Sequence, residues 1–284
     1  MNLFNFNTSN NDNVLLITGK NATGKTTIVD GIKWCLYSSK TKHLTILNQD
    51  IIEFPATVSA ELIFQEKGVN YKVVTNQFYT AKSSCSNTET KLYKHNLDWE
   101  EISNIEISNF IPQYVSDFTF ISEEINYSNL NNTSIIITNF INKVKHEGIY
   151  DINEDIFIKT FNQYMNNLLN IVYDKMPLNL KIDNQFKLQI TDSNNTSYNL
   201  ATTERTIVSF IVSATLAKMF FEYNNSSGFI INDGILGLLD PPSKKRFIKG
   251  ITNLPFEQIL IFASDASVID VDYISIKTLN NSLT

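Results

Sequence analysis

Cysteine and arginine each occur only twice in this 284-residue sequence. Cys35 and Cys85 are too few and too far apart for a disulfide framework or a cysteine zinc cluster. Cys35 also falls on the apolar face of a predicted helix, where a thiol behaves as a small hydrophobe. A reducing, cytoplasmic setting is therefore expected. Arg205 and Arg246 are too few for the arginine lid of a small-molecule kinase, and each reads either as a fork for phosphate or carboxylate or as an ordinary surface ion pair. Positive charge is in deficit: 23 Lys and Arg stand against 29 Asp and Glu, for a net charge of -6 and a pI near 5.2. That excludes a surface that wraps nucleic acid over its whole face, but leaves room for a local basic patch. No window approaches the roughly 18 consecutive apolar residues of a membrane span. The first residues, MNLFNFNTSNNDN, have neither a basic start nor an apolar signal core, so no membrane and no secretion is expected. What is abundant is core material, with 43% hydrophobic and 12% aromatic residues. It is enough for one large domain or two small ones.

Val14 to Thr18 is a short apolar run ending at Gly19. From Lys25 to Tyr37, Ile28, Ile32, Cys35 and Leu36 recur at helical spacing, so the order is strand, loop, helix. ATVSAELIF and YKVVTNQFY alternate with period two around the polar turn QEKGVN, which predicts an antiparallel hairpin. Ser83 to Asn109 is polar and reads as irregular. FIPQYVSDFTFISEEIN restores order, and Ile135 to Leu180 is broadly helical in short pieces with no sustained heptads. A second hairpin is expected in LKIDNQFKLQITDSNNTSYNLA, then a buried helix from Thr203 to Tyr223. GFIIND predicts a buried strand, PPSKKRFIKGI a helix opened by proline, and QILIFAS another buried strand. Strands and helices alternating at this spacing indicate an α/β fold with a mostly parallel sheet.

Gly19, Gly24, Lys25 and Thr26 satisfy G-x-x-x-x-G-K-[ST] between a strand and a helix, the context that gives this pattern its meaning. Backbone N–H groups of the loop Gly19, Lys20, Asn21, Ala22, Thr23, Gly24, with Thr27 beyond, converge on a phosphate at a helix N-terminus whose dipole favours an anion. Lys25 is expected to reach the β- and γ-phosphates of a nucleotide, and Thr26 to place its hydroxyl on Mg²⁺. FIINDGILGLLD ends its strand in Asp233, a carboxylate suited to steady that metal at the C-terminal edge of a sheet. Asp240, seven residues on, reads either as a nucleotide contact or as the N-cap of the next helix.

These segments together resemble the ABC-type ATPase heads of the SMC and DNA double-strand-break repair superfamily. LLITGKNATGKTTIVDGIKWCLY is similar to that group's phosphate-loop signature, including Asn21 and Tyr37. FIINDGILGLLD is similar to its Walker B strand and D-loop, and LATTERTIVSFIVSATLA occupies the place of the ABC signature. IPQYVSDFTFISEEI, Ile111 to Ile125, resembles a segment of the ATPase subunit of Dnd-type phosphorothioate restriction systems. The resemblance implies an N-terminal ATPase lobe over 1–125, a helical insert over 126–184 where relatives carry a long coiled coil, and a C-terminal ATPase lobe over 185–284. It implies ATP and Mg²⁺ as ligands. It also implies two heads packed so that the signature of one covers the ATP of the other, as a homodimer or with another head, alongside an effector or nuclease protein in DNA repair or antiviral defence.

The departures from that pattern bear on chemistry. The signature's leucine, serine, glycine and glutamate correspond to Leu200, Ala201, Thr203 and Glu204, so serine and glycine are lost and Thr202 is the hydroxyl left to meet phosphate. The glutamate usual after the Walker B aspartate is Gly234, which cannot act as a base. The histidine expected after the last core strand is Ser264. The resemblance therefore implies binding that outlasts hydrolysis, unless Glu123 or Glu124 supplies the missing carboxylate. From the residues alone such a pair is more often helix-start charge. Gln113 is a further candidate for the metal. A transporter nucleotide-binding subunit is disfavoured by the degraded signature and by the run of about 175 residues between phosphate loop and signature. In SKKRFIKG, Lys244, Lys245, Arg246 and Lys249 lie on one helix. Contact with DNA and a plain solvated face both remain open there.

Overall fold

The computed structural model describes residues 4–6, 13–21, 23–37, 53–81, 84–102, 107, 111–122, 132–146, 153–173, 177–226, 228–264 and 274–279. In chain order, Val14–Gly19 (β1) leads into Lys25–Tyr37 (α1), then Ala56–Glu66 (β2), Val69–Ala81 (β3), Ser84–His95 (β4) and Trp99–Glu101 (β5). A 3-10 turn at Gln113–Val115 and one helical turn, Ser116–Thr119 (α2), precede Phe120–Ser122 (β6). Helices Thr133–His146 (α3) and Glu154–Val172 (α4) follow, then the strands Leu178–Ile182 (β7) and Leu188–Asp192 (β8). The chain closes with Thr202–Tyr223 (α5), Phe229–Asp233 (β9), a 3-10 turn at Ile235–Leu238, Pro241–Ile251 (α6), Gln258–Ala263 (β10) and Ser275–Leu279 (β11). The fold is α/β, with one parallel sheet and separate antiparallel sheets, as the sequence predicts.

Two compact units form, residues 1–25 with 117–284, and residues 26–116. The first holds a five-stranded sheet in the order β11-β1-β10-β9-β6. Every pairing in it is parallel. All six residues of β1 are buried, and β10 is buried after its first residue, so these strands read as continuous apolar runs because both faces are covered. Ile17 is level with Phe262, Phe262 with Asp233, and Asp233 with Ser122. Helix α5 is long and apolar enough to cross a membrane by length and composition alone, yet 83% of its apolar window is buried inside the protein. Its Phe210 meets Phe247 of α6 edge to face at 5.0 Å.

The helical segment packs through aromatic rings: Phe118 on Phe140, Phe140 on Phe157, and Phe157 on Phe161, with centroids 5.7, 6.0 and 5.8 Å apart. Pairs of this kind contribute about 1 kcal/mol each beyond area burial. On α4, Asn162 and Asn166 act as a substitute strand. Their amide oxygens accept from the backbone N–H groups of Ile182 and Leu180, and their amide nitrogens donate to the carbonyls of the same two residues. The edge of β7 is thereby satisfied, as buried backbone requires. Gly250 of α6 lies where a Cβ would stand 2.5 Å from both Cα and O of Val172, so only glycine permits this approach of α6 to the end of α4.

In the second unit the sheet runs β2-β3-β4-β5, all antiparallel. Its core joins Cys35, Val73 and Leu92, flanked by Ala60, Leu62, Phe64 and Tyr71. Burial, then the charge of Glu61, pushes the Cys35 thiol up to about 12. The stretch expected to be irregular from Ser83 to Asn109 carries β4 and β5 instead. Its strand character comes from pairing with β3 rather than from its own composition: Thr75 and Thr90 meet hydroxyl to hydroxyl at 3.2 Å across the ladder, where an apolar pair would have announced a strand.

Candidate functional site

The loop that closes β1 turns on two glycines. A Cβ on Gly19 would stand 2.5 Å from Thr23 Oγ1 and 3.1 Å from Leu279 Cβ. Gly24 has φ +89°, a left-handed conformation that side chains strain. Thr23 ties the turn shut, donating from its amide and its hydroxyl to the Lys20 carbonyl at 3.3 and 2.9 Å. The Lys25 ammonium folds over the same loop and donates to the carbonyls of Gly19 and Lys20 at 2.6 and 2.8 Å. A cation is thus already centred on the turn, at the start of α1. Lys20, Asn21, Thr26 and Thr27 are exposed, and Ala22 lies outside the described residues.

Asp233 ends β9, half-buried, with the single strand β10 between it and β1. Two inter-strand steps separate strands by about 10 Å. The next residue, Gly234, has φ +96° and donates its N–H to Phe262 O at 3.2 Å. Asn232, the residue before, is 1% exposed. Its Oδ1 accepts from Ile235 N at 3.2 Å and starts the 3-10 turn, while its Nδ2 has no partner among the described residues. Asn232 and Ser122 carried no signal of their own in the sequence, each standing near the end of a short apolar run.

Asp240 is the N-cap of α6. It accepts from the Ser243 amide and hydroxyl, each at 2.9 Å, and from Thr203 Oγ1 at 3.4 Å. These bonds, the Ser243 amide foremost, hold its carboxyl below the usual carboxylate range. Thr202 opens α5, and its carbonyl accepts from Thr206 Oγ1. Glu204 turns back on the start of its own helix: its carboxylate accepts from Ala201 N at 2.9 Å and from the Tyr198 hydroxyl at 3.1 Å. The Tyr198 phenol is pushed up as a result. Thr203, which stands where the resemblance expects glycine, therefore links the signature turn to Asp240 within one chain.

Glu123 and Glu124 lie outside the described residues. Gln113 opens the 3-10 turn of the second unit, and its carbonyl accepts from Ser116 Oγ. Among the described residues no group of three or more His, Cys, Asp or Glu gathers as a metal site. A threonine hydroxyl, as at Thr26, and an aspartate carboxylate, as at Asp233, are by their chemistry hard oxygen donors of the kind Mg²⁺ takes beside substrate phosphates, so these residue types fit that ion.

Comparison with curated proteins finds no match. Among solved structures, the SMC head domain from Thermotoga maritima is similar, with a TM-score of 0.55 and 15% identity, covering 94% of this chain and 86% of that one. An SMC head bound to the C-winged helix domain of ScpA has a TM-score of 0.56 and 12% identity, covering 89% and 83%. An SMC head domain with an extended coiled coil, bound to the C-terminal domain of ScpA derived from Pyrococcus furiosus, has a TM-score of 0.50 and 10% identity, covering 90% and 84%. At such identities the likeness is one of fold, and the fold is that of an SMC head. The AAA domain family matches residues 2–208, most of the sequence and all of the phosphate loop, and the chain belongs to that family.

Proposed function

We propose that this chain is an ATP-binding, SMC-like head that pairs with a second head when nucleotide is bound and hydrolyses ATP slowly. The observation that carries the reading is the Lys25 ammonium held over the Gly19–Lys20 carbonyls, at the end of a strand that shares its sheet with the one ending in Asp233. A triphosphate entering the turn replaces those two carbonyl contacts with charge-assisted bonds to phosphate oxygens, which are roughly twice as strong as neutral ones. Lys25 and the loop amides hold the β- and γ-phosphates. By the resemblance, Thr26, Asp233 and Gln113 are the residues that would hold Mg²⁺, which would supply charge neutralisation between the phosphates. Gly19 through Thr27 form the cradle.

Pairing follows from the outer face of the bound γ-phosphate, which in this arrangement meets the start of the partner's α5, where Thr202 offers a hydroxyl. Glu204 and Asp240 stand beside it. The second head is an identical chain or a more complete one that contributes the serine and the glutamate this chain lacks. Slow turnover is supported by Gly234, which has no side chain at the place of the usual base. One of the solved SMC heads is bound to the C-winged helix domain of ScpA, and a partner protein is proposed here too: an effector or nuclease, in a DNA-linked repair or phage-defence assembly of the Dnd type, in a cytoplasmic setting.

A second reading, a competent ATPase with a surrogate carboxylate, is favoured by one specific observation. Ser122 is level with Asp233 on the adjacent strand. Glu123 and Glu124 follow Ser122 directly in the sequence. Glu123 or Glu124 is then the base.

Calorimetric titration with ATP and Mg²⁺, and light scattering after size exclusion with and without nucleotide, test the first reading on wild type and Lys25→Ala. Uptake and a mass increase in wild type alone are expected. No uptake by wild type overturns it. Steady-state phosphate release separates the two readings.

A further inference from the structure

Helix α6 presents four cations and no anion, Lys244, Lys245, Arg246 and Lys249, in a chain whose net charge is -6. Phe247, Ile248, Gly250 and Ile251 are buried, whereas Lys245, Arg246 and Lys249 are exposed and Lys244 is half-buried. At 3.6 residues per turn, Lys245, Lys249 and Arg246 fall within about 100° of one another around the helix. The ammonium groups of Lys244, Lys245 and Lys249 have no hydrogen-bond or ion-pair partner among the described residues; the ion pairs there lie on other elements.

An ordinary solvated helix face alternates charge, because opposite signs four residues apart stabilise a helix and like signs destabilise it. Lys245 and Lys249 are a like pair at that spacing. Lys244 and Lys245 also sit in the first half of the helix, where the macrodipole disfavours cations. The arrangement therefore costs helix stability, and no ion pair among the described residues offsets it. It is also rigid: Asp240 caps one end, Gly250 is pressed on Val172 at the other, and Phe247 is locked on Phe210. Arg246 lies 5.6 Å from the centre of the Tyr173 ring and donates one N–H to its hydroxyl at 3.3 Å, so the fork is pre-oriented.

We propose that this face of α6 docks the phosphate backbone of duplex DNA. Lys245 and Lys249 are about 6 Å apart along the helix axis, in line with a rigid row of phosphates. The Tyr173 ring beside the face is covered by Arg246, so it offers no open stacking platform of the kind single strands require. Contact is to the backbone and independent of sequence. It is an addition to nucleotide binding and does not depend on it. Through Asp240, which caps α6 and is bonded to Thr203, the position of the helix is mechanically tied to the start of α5.

The test is fluorescence anisotropy of the full chain with a labelled 30-base-pair duplex across a KCl series. Wild type is compared with the triple variant Lys245→Gln, Arg246→Gln, Lys249→Gln, and with the control Lys159→Gln, Lys187→Gln, whose lysines are exposed on α4 and in the turn before β8. Circular dichroism checks folding. Duplex binding by wild type is expected, weakened about tenfold or more at low salt in the triple variant and unchanged in the control. The slope of log affinity against log salt should flatten by about 2 to 3, near 0.9 per lost phosphate contact. Absence of wild-type binding, equal weakening in the control, or binding of polyglutamate in place of duplex, which would mark an acidic protein partner, each overturns the proposal. ATP uptake measured on the same triple variant is expected to persist, and Lys25→Ala is expected to keep duplex binding, so the two readings fail separately.

Discussion

Ser122 and Asp233 lie side by side, each the last residue of its strand, in adjacent parallel strands of one sheet. The ends of the two strands therefore stand level at one edge of the sheet. Glu123, the residue after Ser122 in the sequence, is the carboxylate proposed in place of the glutamate missing at 234. Glu123→Gln is expected to lower steady-state phosphate release at least a hundredfold if that carboxylate is the base, while leaving ATP uptake intact. Unchanged release at a measurable wild-type rate excludes Glu123 from that role and turns attention to Glu124.

Restoring the family's glutamate at 234 is not expected to restore turnover. Gly234 has φ +96° and ψ -11°, and its N–H is committed to Phe262 O. A side chain there costs on the order of 1 to 3 kcal/mol in backbone strain. Gly234→Glu should lower the melting temperature measurably and leave phosphate release at the wild-type level. A stable variant with raised turnover would refute this.

Gly250→Ala places a methyl carbon 2.5 Å from backbone atoms of Val172, which cannot swing away as a side chain tip could. Overpacking of this sort costs about 1 to 3 kcal/mol. Urea denaturation is the check, and the loss should appear in the midpoint with the slope unchanged.

Asp240 contributes stability that depends on pH. Its folded carboxyl is held below the ordinary range by the Ser243 amide and hydroxyl. A depressed folded value means the contribution is complete above the unfolded carboxylate range, near pH 4, and is lost as pH falls through the folded value. The stability gap between wild type and Asp240→Ala should therefore be constant from pH 7 to about 5 and shrink below about 4. A gap that widened in acid would contradict the capping geometry.

The elements legible in the sequence are those that carry their own signal. The run from Val14, the glycine turn and the helix Lys25–Tyr37 were bounded correctly because buried parallel strands are apolar throughout and the loop's glycines meet a backbone demand that other residues resist. The helix opened by Pro241 and capped by Asp240, and the hairpin of β7 and β8, were equally local. β4, β6 and β11 were not legible, being polar or only three to five residues long. A strand of that kind exists because a neighbour offers it a ladder.

The phosphate loop, and with it the class of ligand, was determined by the sequence itself, since convergent amides need small residues at fixed spacing along a continuous stretch of chain. Tertiary structure alone decided that Asp233 stands beside Ser122, that Thr203 reaches Asp240, and that Gly234 occupies a left-handed turn. Those relationships join residues far apart in the chain or depend on how the backbone is bent by its surroundings. Their partners are chosen by strand order and helix packing, which no local pattern encodes.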